Sequence, residues 1–297
     1  MISAANQTSR LRMAKQTAEA LLRDEGMVAL PIDPFAVAAS RDITVRAKPD
    51  TAEGVSGMLL RHGDVFGILY ATNIPSEGFQ RFSVSHELGH YFLDGHIDRI
   101  LPKDGVHTSR AGFVSADPHE LEADHFAAGL LMPAGAFRSA VRSRAPGLAA
   151  VEALAAMCRT SLPATAIRYA ELVEDAVAIV VSTGATIDYC FLSETIKSLP
   201  QLTWLRRGMP VPRETATSRL NACPDRIAAA DRTEAEIDIM DWLGGARSSA
   251  ALEEVIGLGQ YGKTLTVLTC ASIRDETSRD EDDSDEELIR RWTPRFR

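Results

Sequence analysis

The chain has 297 residues, 45% hydrophobic and 25% charged, with a formal net charge of -9. That length and apolar content allow a substantial core, arranged as two folded units and a tail. The acidic balance counts against a sequence-independent nucleic-acid binder, which needs clustered Lys and Arg to neutralise phosphates. No apolar run approaches the roughly twenty residues that span a bilayer, and the opening MISAANQTSRLRMAKQ lacks the apolar core of a secretory signal, so a cytoplasmic protein without membrane contact is expected. Cys158, Cys190, Cys223 and Cys270 are far apart with no CxxC, the pattern of ordinary reduced thiols.

Leu11, Ala14, Ala18, Leu21 and Leu22 recur at helical spacing, and Gly26 is placed to end that helix. Asp33 before Pro34 reads as an N-cap followed by a first-turn proline, opening a short helix to residue 39. Strand-like segments follow at 43–46, 57–61 and 65–70, the last two joined by His62-Gly63-Asp64 as a hairpin turn. An edge strand can add an extended peptide by main-chain hydrogen bonds, and peptide binding at this hairpin and a hairpin that only packs on the next helix are the two competing expectations.

That next helix carries His86-Glu87-Leu88-Gly89-His90. Two histidines four residues apart project from one helix face and can grip one divalent cation, with Glu87 beside it as a candidate general base. Phe82, Val84, Leu88, Tyr91, Phe92 and Leu93 give the segment the apolar character of a buried helix. Two positions compete as third ligand. His96 has the spacing of HExxHxxGxxH, but Leu93 stands where that pattern needs glycine, and Gly95 comes two residues late. Glu120, opening Glu120-Leu121-Glu122-Ala123-Asp124, is favoured, because it would complete a His, His, Glu site while Asp124, one turn on, accepts a hydrogen bond from the far nitrogen of a ligating histidine. Glu122 is the second choice, pointing roughly 200 degrees away from Glu120 on a helix. The donor to a developing oxyanion is left open among Tyr91, His107, His119 and His125.

Helical patterns continue to residue 142 and over 148–157 and 163–172, an alanine-rich bundle. Residues 158–169 could form the turn and second helix of a helix-turn-helix, but Arg159 and Arg168 are its only basic residues, so a structural or docking role is expected over DNA contact. Beyond residue 176, strand-like 176–182, 186–192 and 265–270, with helix-like 234–243, imply a separate α+β domain. Gly257-Leu258-Gly259-Gln260-Tyr261-Gly262-Lys263-Thr264 matches GxxxxGK[ST], yet a helix-like 250–255 precedes it and β-branched residues follow, the reverse of a phosphate-binding loop, so a turn into a strand is expected. The run from Asp280 to Glu287 repels itself and reads as a solvated, disordered tail.

RFSVSHELGHYFL (81–93) followed by ELEADHFAAGLLMP (120–133) resembles the ImmA/IrrE metallopeptidases, over roughly residues 10 to 140. The family often has another histidine shortly after the motif, where this chain has Asp94 and Gly95. The resemblance implies a zincin-like, gluzincin α+β metallopeptidase domain (1–143), followed by a helical bundle (144–175), a smaller α+β domain that is GAF-like in longer relatives (176–272) and the acidic tail (273–297). It implies Zn2+ (or Mn2+) on His86, His90 and Glu120, Glu87 as base and Asp124 behind a ligating histidine. The implied reaction is metal-assisted hydrolysis of a peptide bond in a cytoplasmic protein, such as a helix-turn-helix transcriptional repressor in a stress or mobile-element response. The alternative is a DNA-binding or protein-binding regulator whose metal is structural.

Overall fold

The computed structural model describes residues 4–48, 54–101, 104–110, 117–245 and 248–270; the expected acidic tail lies outside them. The chain divides into two units, one drawn from Met1–Ser143 and Glu152–Arg168, the other from Arg144–Val151 and Tyr169–Arg297.

In the first unit, α1 (Ala4–Asp24) and α2 (Pro34–Ala39) lead into strands β1 (Thr44–Lys48), β2 (Val55–His62) and β3 (Val65–Ala71). The motif helix α3 (Glu77–Phe92), a short α4 (His96–Ile100), strand β4 (Asp104–Arg110) and helices α5 (Pro118–Leu131) and α6 (Ala134–Arg142) follow. Side-chain caps set the starts of the important helices by satisfying otherwise unpaired backbone N–H groups. The Asp33 carboxylate accepts from Phe35 N at 3.0 Å, Ser76 Oγ from Phe79 N at 3.4 Å, and Asp117 from His119 N at 2.8 Å. Helices α7 (Leu148–Cys158) and α8 (Leu162–Leu172) come next, and the division between the units falls inside each of them.

The first sheet has the order β1-β3-β2-β4, with β1 and β3 parallel and the other pairs antiparallel. The expected hairpin is present as β2 and β3, but both strands are interior, so neither is a free edge able to add a peptide strand. Among the described residues the edges are β1 and β4. Leu59 and Ile68 from the sheet, Val84 and Leu88 from α3, Ala14, Ala18 and Leu22 from α1, and Phe126 and Leu130 from α5 close one core. Each large buried side chain there contributes about 1.5–3 kcal/mol of transfer free energy. α3 and α5 come close because Gly89 has no Cβ: one built there would lie 3.0 Å from the Ala123 Cα.

The second unit holds β5 (Ala176–Thr183), β6 (Thr186–Leu192), α9 (Glu194–Lys197), α10 (Ala216–Asn221), α11 (Pro224–Ala228), β7 (Arg232–Asp238), α12 (Met240–Leu243), β8 (Ala250–Gly257) and β9 (Thr264–Cys270). Its sheet is antiparallel throughout, in the order β6-β5-β9-β8-β7. The three expected strands form, whereas the expected helix over 234–243 is strand β7 as far as Asp238 and helix, α12, only from Met240 to Leu243, and the expected helix over 250–255 is strand β8. Ala, Leu and Glu favour helix locally, but the ladders of β8 to β7 and β9 override that preference. The glycine-rich loop therefore follows a strand rather than a helix, and a single 3-10 turn, Gly259–Tyr261, carries it into β9. Among the described residues it opens into β9 and not into a helix, so it presents no helix N-terminus to a phosphate. No helix among the described residues is long and apolar enough to cross a membrane.

Candidate metal site

Four residues apart on α3, His86 and His90 bring their Nε2 atoms to 3.1 Å of each other. α5, starting at its Asp117 cap, presents Glu120 in its first turn, with Oε2 3.2 Å from His86 Nε2 and Oε1 3.4 Å from His90 Nε2. Tetrahedral zinc with bonds near 2.0–2.1 Å requires donor atoms separated by roughly 3.3 Å, so this set of two imidazoles and one carboxylate fits such an ion. The three side chains form the cluster able to hold a metal among the described residues.

Charges around this cluster are strongly coupled. Burial works against a charged His86, but hydrogen bonds to Asp124 and Glu120 outweigh it and raise the pKa to about 10. The Nδ1 atom of His86 lies 2.8 Å from Asp124 Oδ1. His90 is fully buried, which pushes its pKa down to about 3. Glu120 is opposed by burial, yet His107, His86 and His90 hold its carboxylate well below the usual range.

Glu87 points from α3 towards the sheet. It is 0% exposed, burial lifts its pKa to about 7 against the lowering influence of the His86 and His107 charges, and neither carboxylate oxygen has a hydrogen-bond partner among the described residues. The wall it faces is Gly57 of β2, where a Cβ would come 2.5 Å from Glu87 Oε1. Gly57 stands at a register shift between Val55 and Gly57, a bulge of the kind that re-aims strands beside active sites.

β4 was not read from the sequence, since DGVHTSR has few β-branched or aromatic residues. The available signal was its alternation: Val106, Thr108 and Arg110 are exposed, while His107 and Ser109 turn inward opposite Leu59 and Gly57. His107 Nε2 lies 3.1 Å from Glu120 Oε1, and its ring packs edge-on against His90 with centroids 4.7 Å apart. Of the other oxyanion candidates, Tyr91 packs edge-on against Phe66 and Phe92, and His119 Nδ1 lies 3.1 Å from Asp117 Oδ1.

His96, the rival third ligand, is not in the cluster. Gly95 takes a left-handed φ of 77°, and the chain returns so that His96 meets the far side of His90, its Nδ1 3.1 Å from His90 Nδ1. Glu122 faces away from the cluster, as its helical position implies, and lies 3.2 Å from His96 Nε2. The basic residues of the helix-turn-helix-like segment are engaged within the unit: Arg159 pairs with Glu77, and buried Arg168 bonds the Met132 carbonyl at 3.0 Å and Glu19 at 3.1 Å.

Comparison with known proteins adds a family and a fold. Residues 38–169 match the peptidase family described as IrrE N-terminal-like domain. A Mycobacterium tuberculosis transcriptional regulator is similar in structure, with a TM-score of 0.54 and 15% identity, over 86% of this chain and 76% of that one; at that identity the likeness concerns the fold. No curated protein matches the chain.

Proposed function

We propose, from the premise that this chain belongs through residues 38–169 to the ImmA/IrrE (IrrE N-terminal-like) family, that it is a zinc-dependent endopeptidase acting on a protein substrate. The observation that supports this best is the convergence of His86, His90 and Glu120 beside a buried Glu87 whose oxygens have no partner among the described residues. His86, His90 and Glu120 would hold Zn2+, with Mn2+ as the alternative. When bound, the ion supplies Lewis acidity towards a peptide carbonyl and towards water. Glu87, buried beside the ligating histidines, takes a proton from the attacking water and returns it to the leaving amine. Asp124 holds the His86 ring through Nδ1. His107, on the edge strand, is our candidate donor to the developing oxyanion. The substrate backbone is expected to lie as an added strand along β4, whose outer edge carries no strand among the described residues.

For the substrate we propose a helix-turn-helix repressor in a stress or mobile-element response, cleaved in the cytoplasm, and for the second unit a GAF-like sensor role. The competing reading is a regulator that binds DNA or protein and whose metal is structural. Against the DNA version stand the intramolecular bonds of Arg159 and Arg168; against a purely structural metal stands Glu87, a buried carboxylate that metal retention does not require. The test is mass spectrometry of protein N-termini in a lysate of the source cells treated with wild type or Glu87→Gln protein. New N-termini should appear with wild type alone. Identical profiles would favour the regulator.

A further inference from the structure

Both ligating histidines of the proposed site have an outer nitrogen facing into the protein, and the two are supported differently. His86 Nδ1 meets the Asp124 carboxylate directly. His90 Nδ1 meets another histidine, His96, at 3.1 Å, with no exposed surface on either residue. Beyond it, His96 Nε2 lies 3.2 Å from Glu122 Oε2, and Arg10 reaches from α1 to place Nη2 2.8 Å from Glu122 Oε1 and 3.1 Å from Oε2.

The order of donors along this row is fixed by elementary bookkeeping. An ionised carboxylate only accepts, and a neutral imidazole has one N–H and one lone pair. Glu122, held by the Arg10 guanidinium, therefore calls for the proton of His96 on Nε2. That leaves the His96 Nδ1 as a lone pair, which can only accept, so the neighbouring His90 Nδ1 carries its proton. The remaining His90 nitrogen, Nε2, is then a lone pair directed at His86 Nε2 and Glu120 Oε1, 3.1 and 3.4 Å away. The opposite order would leave the His96 Nε2 lone pair against a carboxylate oxygen with nothing between them, whereas the His90 Nε2 lone pair and Glu120 Oε1 face the place that a shared cation would fill.

We infer that Arg10, Glu122 and His96 form a positioning relay that fixes the orientation and tautomer of His90 so that its Nε2 is presented as a metal ligand. The inference rests on the metal-site reading above and extends it to three residues that touch neither metal nor substrate. His96 thus acts one step behind the position that the HExxHxxGxxH spacing would give it. The physical cause is the placement of Gly95: the left-handed turn comes after Asp94 and returns the chain to the outer side of His90.

The test uses the full chain and two readouts that do not depend on catalysis: Zn2+ affinity by competition with a chromogenic chelator, and long-range 1H–15N correlation of the histidine rings. His96→Leu removes the acceptor and should weaken Zn2+ binding by about 10- to 100-fold, the usual consequence of removing a group behind a metal ligand. His96→Asn can set an amide oxygen near the former Nδ1 and should recover most of that loss. In the Zn2+-loaded wild type, His96 should be found with its proton on Nε2 and His90 with its proton on Nδ1. Wild-type affinity in His96→Leu, or His96 with its proton on Nδ1 in the Zn2+-loaded wild type, overturns the relay while leaving the metal site intact. Should His96→Leu fail to fold, Glu122→Met and the wild-type tautomer decide the matter. A wild type that binds no Zn2+ removes the metal-site reading itself, and the relay with it.

Discussion

Replacing Gly57 by alanine should disable the proposed base without touching a metal ligand. A Cβ at this position would meet Glu87 Oε1 at 2.5 Å, Cγ at 3.1 Å and Cδ at 3.2 Å, and these are its three nearest neighbours. The carboxylate oxygen must retreat by roughly 1 Å to reach an ordinary contact distance. It has little room, because Glu87 is 0% exposed. A displacement of that size at a reacting group costs about 100-fold in rate. Overpacking costs about 1–3 kcal/mol, partly offset by the reduced backbone entropy of the unfolded chain when glycine becomes alanine. The expected result is therefore a small fall in melting temperature, unchanged Zn2+ content, and a kcat lower by about two orders of magnitude on a peptide spanning the cleavage site. Glu87→Asp in the same background, one methylene shorter, should restore stability but not rate. Wild-type kcat in Gly57→Ala would refute the claim that this wall positions the carboxylate.

Other consequences are equally direct. Zn2+ at 100 times its Kd should stabilise the first unit by about 2.7 kcal/mol, and Glu120→Ala should abolish that gain; a melt with and without chelator measures it. In the second unit, buried Glu253 accepts from Ala216 N and Thr217 N, both at 2.9 Å, and from Thr217 Oγ1 at 2.6 Å, so Glu253→Ala should cost about 3–5 kcal/mol in urea unfolding, and a loss below about 1 kcal/mol would contradict this. Lys263 pairs with Asp188 at 2.6 Å on a partly exposed surface, so Lys263→Ala should cost at most about 1 kcal/mol. Titration with labelled ATP and magnesium should give no saturable binding that this variant removes. Burial pushes the thiols of Cys158 and Cys270 up to about 11 and that of Cys190 up to about 12, so an alkylating reagent at neutral pH should label exposed Cys223 first; equal rates at all four would count against these environments.

What the sequence determined by itself is local in origin. The i, i+4 spacing of His86 and His90, the same spacing from Glu120 to Asp124, and the Asp33 cap with Pro34 all act within one or two helical turns, where backbone geometry alone decides which side chains share a face. The partners across the fold followed from tertiary structure. Strand pairing set β2 in the sheet interior, made β4 one of the two edges among the described residues, and turned His107 and Ser109 towards the site, although β4 has little intrinsic strand preference. The same pairing made strands of Arg232–Asp238 and Ala250–Gly257 against their helix-forming composition. Glu122 and His96, 26 residues apart, meet only because α1, α4 and α5 pack around α3, and a contact between distant residues leaves no periodicity in the chain from which it could be read.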